Sequence, residues 1–90
     1  MVVLVMGSVS DSLRGECTRY LIEIKTGVFV GTLSARVRDH LWEMVMRKSE
    51  AGSAILLYDY PNEQGFMMQM HGDPQRSVID MDGLQLIKIQ

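Results

Sequence analysis

Two short runs, Val2 to Met6 and residues 54–57, are apolar at every position instead of every second one. A strand with one wet face alternates apolar and polar residues, so an unbroken run marks a strand covered on both faces. In a chain of 90 residues that demand is hard to meet. A domain of this size removes only about 60–65% of its unfolded surface from water, which leaves a small core. The chain is read as one domain, residues 1–90. A second copy related by a two-fold axis is the simplest source of the missing cover.

Composition narrows the function classes. With 47% hydrophobic and 22% charged residues the chain has an ordinary globular mix, not a disordered one. Nine basic against eleven acidic residues give a net charge of −2, which excludes a nucleic-acid binder working on overall charge but not a local basic patch. The single cysteine, Cys17, forms no intrachain disulfide, and no CxxC pair exists for zinc or redox chemistry. The apolar start is too short for a signal peptide and no basic residue precedes it. No later run approaches a membrane span. The expectation is a cytoplasmic protein with no membrane partner.

Periodicity then orders the elements. After the first strand, Gly7, Ser8 and Ser10 break the run, and Ser10 or Asp11 can cap a helix. Leu13, Cys17, Leu21 and Ile24 recur at helical spacing, with Tyr20 widening the stripe and Gly27 as the stop. Val28, Phe29 and Val30 form a β-rich run too short for a full hairpin. A second helix starts at Thr32 or Ser34 and runs to about Glu50, with a stripe of Val37, Leu41, Met44 or Val45, and Lys48, ended by Gly52. Glu43 precedes Arg47 by four residues, the favourable order for a helix pair. A strand over 54–60, a connection over 61–65 and an alternating strand Phe66–His71 follow, closed by Gly72, Asp73 and Pro74. Asp82-Gly83 is a turn pair before a last strand, Leu84–Ile89, whose apolar phase changes between Leu86 and Ile87. Both faces of that strand are then covered, or a bulge intervenes. This order predicts an α+β fold with two helices on one face of a single sheet, an extra C-terminal strand, and a homodimer packed sheet to sheet.

Chemistry-bearing residues are sparse. Met6-Gly7-Ser8-Val9-Ser10-Asp11 stands between a strand and a helix, where backbone N–H groups attract anions. It resembles the MGSxSD segment of the purine-pathway carboxyaminoimidazole ribonucleotide mutases, but in a chain far too short for that family's domain; a cap and a turn account for the same residues. Met67, Met68, Met70 and His71 are soft-metal ligand types. Alternation sends Met67 and Met68 to opposite faces, and methionine is a flexible core filler. His40 and His71 make neither a metal-binding spacing nor a Ser-His-Asp order. Cys17 falls on an apolar stripe, where a thiol is inert.

The arginines carry more information. Arg14 falls in the first turn of the first helix, and Arg36 and Arg38 open the second. Cations there oppose the helix dipole at a cost of a few tenths of a kcal/mol each. Residues 1–40 hold five basic and four acidic groups, and residues 41–90 hold four and seven. Positions 36 and 38 stand about 200° apart on an ideal helix, so both meet one phosphate backbone only if Arg36 lies at or before the cap. Solvated surface and phosphate contact both remain open from these residues alone.

Leu13-Arg14-Gly15, Gly27-Val28-Phe29-Val30-Gly31, Ser34-Ala35-Arg36-Val37-Arg38 and Leu41-Trp42-Glu43 are followed by Gly65-Phe66 and Asp80-Met81-Asp82-Gly83-Leu84. Together they resemble the second universal CRISPR-associated protein in its type I-E form, over essentially the whole chain. The resemblance implies a ferredoxin-like fold, a symmetric homodimer, and a structural, non-catalytic place in the CRISPR spacer-acquisition complex of prokaryotic antiviral defence. As partners it implies a second copy, duplex DNA, and the integrase, the first universal CRISPR-associated protein, which performs the strand transfer. The family's DNA-contacting basic positions fall on Arg14, Arg36, Arg38 and Arg76, up to about eight phosphate contacts for two copies. Two further basic positions of close relatives are replaced by Ser12 and Gln75. The integrase-docking strand falls on Leu84, Leu86, Ile87 and Ile89, with Asp82 in the turn before it.

The family also carries a metal-dependent endonuclease reading, on RNA or DNA, in which an acidic residue after the first strand holds magnesium. Here that position is Gly7, which has no side chain, and the nearest acid, Asp11, comes four residues later. No catalytic residue, no metal ligand and no cofactor are therefore expected for the structural role; magnesium enters only with a retained nuclease activity. One tension remains, since a ferredoxin-like unit needs two strands between its helices and only residues 25–32 stand free for them.

Overall fold

The computed structural model describes residues 1–48 and 52–89. In chain order these form β1 (Val2–Met6), α1 (Asp11–Thr18), β2 (Ile22–Lys25), β3 (Val28–Gly31), α2 (Ala35–Arg47), β4 (Ala54–Asp59), β5 (Phe66–His71), β6 (Arg76–Met81) and β7 (Leu84–Ile89). The first five strands make one sheet in the order β2-β3-β1-β4-β5, antiparallel at every step, while β6 and β7 pair separately. The β2-β3-β1-β4 part, with two helices on one side, is the ferredoxin-like arrangement, and β5 extends it.

The tension in the middle of the chain resolves through a shorter first helix. Ser10, not Asp11, caps α1, its hydroxyl accepting the Leu13 N–H at 3.2 Å. The helix ends at Thr18, so the predicted stripe holds only for Leu13 and Cys17. From residue 22 the order Ile-Glu-Ile-Lys has the strand period and β-branched residues, and it pairs with β3. Leu21 is buried in the link, whereas Tyr20 and Ile24 are exposed and belong to no helical stripe. Gly27 is the hairpin turn, not a helix stop: its φ is +79°, and a Cβ there would collide with the carbonyl oxygen of Met6. The run at 28–30 is thus half of a full hairpin.

Register places the core. Leu4 lies opposite Phe29 and Leu56, so these side chains share the face covered by the helices. They join Leu13 and Cys17 of α1 and Leu41, Trp42 and Val45 of α2 in one buried cluster. Trp42 lies outside the predicted stripe; its width carries it into the core from the flank. Ser34 caps α2 through the Val37 N–H at 3.2 Å. The helix closes at Arg47, and Lys48 leaves helical angles to reach the Ser12 hydroxyl at 3.3 Å; the predicted extension to Glu50 lies outside the described residues. Glu43 and Arg47 make no ion pair with each other among the described residues. None of the helices here is long and apolar enough to cross a membrane.

The expected sheet with two helices on one face and the extra C-terminal strand are both present, the strand in a second small sheet of its own. The last strand does not extend the main sheet but pairs with β6, which carries only two central apolar residues, Val78 and Ile79, and so gave little periodic signal. Asp82 (φ +56°) and Gly83 (φ +85°) both adopt the left-handed region, the two-residue turn whose twist suits a hairpin, and Asp80 accepts the Gly83 N–H at 2.9 Å. The register runs without a bulge, so the phase change in β7 reflects two apolar faces.

Register also settles the opposite face of the main sheet. Val3 stands between Val30 and Leu57, and Val5 between Val28 and Ile55. Phe66, Met68 and Met70 share this face, as the alternation predicts, with Met67, Gln69 and His71 on the other. Most of it is half-buried in the single chain, and Ile22 at its edge is 71% exposed.

Candidate nucleic-acid interface

Arg14 projects from α1 toward the β2–β3 hairpin. Its Nε donates to Glu23 at 2.8 Å, and its Nη1 lies 3.4 Å from Asp11. The other Glu23 oxygen accepts the Gly27 N–H at 3.0 Å, so one carboxylate ties the helix to the turn. That N–H bond is the largest influence and holds the Glu23 carboxyl below its ordinary value of 4.5; burial, the next in size, pushes it up, and the Arg14 guanidinium lowers it again. Because the folded pKa is depressed, this contribution to stability is complete above pH 4.5 and drains away as pH falls below it. Urea midpoints measured from pH 6 to pH 3 should fall less steeply for Glu23→Gln than for the parent, and parallel curves would reject the coupling.

Arg38 lies across the face of Tyr58, its guanidinium carbon 3.7 Å from the ring centroid, and Nη2 meets Asp39 at 3.1 Å. Only 18% of its side chain is exposed. Arg36, the second residue of α2, is exposed and makes no hydrogen bond or ion pair among the described residues. The spacing argument holds: the two arginines leave α2 on different sides, one toward β4 and one toward solvent. Arg76 lies on the other side of the sheet. It lines a cavity of about 340 Å³ with Val5, Ile55, Met70 and Ile87, and its one ion pair among the described residues, 3.9 Å to Asp73, is long.

One copy therefore does not gather the four arginines into one pocket. Arg14 and Arg38 are already neutralised in part by Glu23, Asp11 and Asp39, Arg76 has the long Asp73 pair, and Arg36 has no carboxylate partner among the described residues. Glu23 escaped the sequence reading because a helix through residue 24 keeps it from reaching Arg14; the strand period at 22–25 was the available signal. Tyr58 was read only as part of a strand.

On β7, Leu84, Leu86 and Ile89 are 42%, 45% and 68% exposed and Ile87 38%, and Asp82 sits at the exposed turn. Ile87 turns inward to the cavity beside Arg76. Register puts Leu84 and Leu86 on the outer face with Met81 and Ile79.

The end of β1 does not suit a magnesium ion. Gly7 has no donor side chain, its N–H is bonded to the Ser53 carbonyl at 2.8 Å, and a Cβ would stand 3.0 Å from the Ser53 hydroxyl. Asp11, the nearest acid, faces Arg14. The described residues contain no group of three His, Cys, Asp or Glu side chains that could hold a metal ion. Cys17 is buried, and burial first, then Glu16 and Glu23, pushes its thiol up to about 11, far from a nucleophile's range.

The family model described as CRISPR-associated protein (Cas_Cas2CT1978) matches residues 1–86, from β1 into β7. The ferredoxin-like sheet and the C-terminal hairpin both fall within that match, and on it the chain belongs to this CRISPR-associated protein family.

Proposed function

We propose that the protein is a structural, DNA-bridging subunit of the CRISPR spacer-acquisition complex, of the type I-E form, working as a homodimer. The observation that carries this reading is the apolar face opposite the helices. Val3, Val5, Val28, Val30, Ile55 and Leu57 occupy three adjacent strands without an interrupting polar side chain. A second copy packed face to face removes them from water and doubles every basic position. Duplex DNA then lies across the pair, held by phosphate contacts that carry no sequence information. The integrase docks on the outer face of the hairpin and performs the strand transfer.

The electrostatics refine the DNA track. Eight phosphate contacts would give a slope of log K against log salt of about −7. With Arg14 and Arg38 engaged by carboxylates at close range, the main contacts are Arg36 and the weakly paired Arg76 of both copies, and the slope from this subunit falls to about −4. Arg36→Ala should make the slope of the assembled complex shallower by about 2 and lower spacer uptake, with the dimer intact. A slope and uptake equal to the parent's would remove Arg36 from the track. The wider reading is tested by mixing the chain with the integrase on a sizing column. Co-elution as a large complex supports the structural role, and separate elution overturns it. The nuclease alternative predicts magnesium-dependent cleavage abolished by Asp11→Ala, and the residues around Gly7 argue against it.

A further inference from the structure

We propose that Gln64 and Gln85 form a clasp that sets the angle of the β6–β7 hairpin and thereby positions its outer face for the integrase, an inference that rests on the docking reading above. In an antiparallel ladder, alternate residues turn their N–H and C=O outward. Met68 at the free edge of β5 and Gln85 at the free edge of β7 are such residues. The Gln85 side chain closes the first edge: Oε1 accepts the Met68 N–H at 2.6 Å and Nε2 donates to the Met68 carbonyl at 3.3 Å. The Gln64 side chain, from the β4–β5 connection, closes the second: Oε1 accepts the Gln85 N–H at 2.9 Å and Nε2 donates to the Gln85 carbonyl at 2.8 Å. Two side-chain amides thus stand where a strand would, one on each edge.

Other polar ties of the hairpin sit at its start, where Asp73 accepts the Gln75 N–H at 2.8 Å and lies 3.9 Å from Arg76. Beneath the hairpin, between Ile87 and Arg76 on one side and Val5, Ile55 and Met70 on the other, lies the cavity of about 340 Å³ rather than a filled core. Its link to β5 passes through Gly72, at φ +80°, and the residues that follow. Neither glutamine side chain belongs to the outer face that carries Leu84 and Leu86, so both are positioning residues. The clasp also satisfies edge groups that would otherwise recruit a foreign strand.

The test uses the full-length dimer with Gln64→Met and Gln85→Met, which keep side-chain length and lose the amide. Expected are exchange of the Met68 and Gln85 N–H groups at least about tenfold faster, unchanged protection along the β6–β7 ladder, a changed hairpin orientation in residual dipolar couplings, and integrase affinity about tenfold weaker. Unchanged exchange and orientation would overturn the clasp, as would unchanged affinity once the hairpin has loosened. Leu84→Asp with Leu86→Asp separates the two ideas. It should abolish integrase binding and leave Met68 exchange alone. Full binding by that variant would overturn the docking reading and the positioning role built on it.

Discussion

Phe29→Ala is expected to cost about 3–5 kcal/mol, the range for truncating a fully buried aromatic ring. Phe29 has no exposed surface and is the largest such side chain in the core. The site cannot collapse around a smaller residue. β3 is held on one side by β1 and on the other by β2, so its backbone cannot move toward the helices without breaking both ladders. A small domain has only about 5–15 kcal/mol to lose. The melting temperature should fall by roughly 15–30 °C, because each kcal/mol is worth about 4–8 °C at this size. Urea unfolding should show a lower midpoint with the same slope. A loss under about 1 kcal/mol would mean that the ring does not sit between sheet and helices.

Val3→Asp is expected to convert the proposed face-to-face dimer to monomer at micromolar concentration. Val3 is in the middle strand of the open face, flanked by Val30 and Leu57. Between two copies the carboxylate would be dehydrated with no partner, a cost of about 3 kcal/mol or more. Two-fold symmetry places two such groups in one interface, so the dissociation constant should rise at least about a hundredfold. In the monomer that face meets water, so the fold itself should survive with intact helical signal. Sedimentation equilibrium reads the first effect and circular dichroism the second. A dimer as tight as the parent's would place the interface elsewhere and leave the apolar face to another partner.

Much of this fold was legible because burial follows periodicity. The unbroken runs at β1 and β4 fell on the two strands that the structure covers most fully, and the alternation at 66–71 was reproduced residue by residue in the register. The failures have one physical origin. Leu13, Cys17, Leu21 and Ile24 satisfy a helical spacing that ends after Cys17, because the β-branched Ile22 and Ile24, two residues apart, gain more from pairing with β3 than from a further turn. β6 was invisible because its apolar residues, Val78, Ile79 and Met81, follow no strand period, and it exists through its partner β7.

The candidate site divides along the same line. Arg14, Arg36, Arg38 and Arg76 were identifiable by residue type and by resemblance, as were the turn at Asp82 and the apolar β7. Their partners were not. That Glu23 ties down Arg14, that Arg38 lies on Tyr58, and that Arg36 and Arg76 lie on different sides of the sheet all depend on approaches between distant residues.

Local order thus came from sequence alone: the apolar strand runs at β1 and β4, the cap positions narrowed to two residues each, the Asp82-Gly83 turn and the demand for a second apolar cover. Each follows from a side chain's own conformational preference or from its spacing to near neighbours. Only the tertiary structure decided which arginines are neutralised, which face stays open and how two glutamines anchor the hairpin. Those outcomes depend on contacts across tens of residues, and a one-residue change in register redirects every side chain involved.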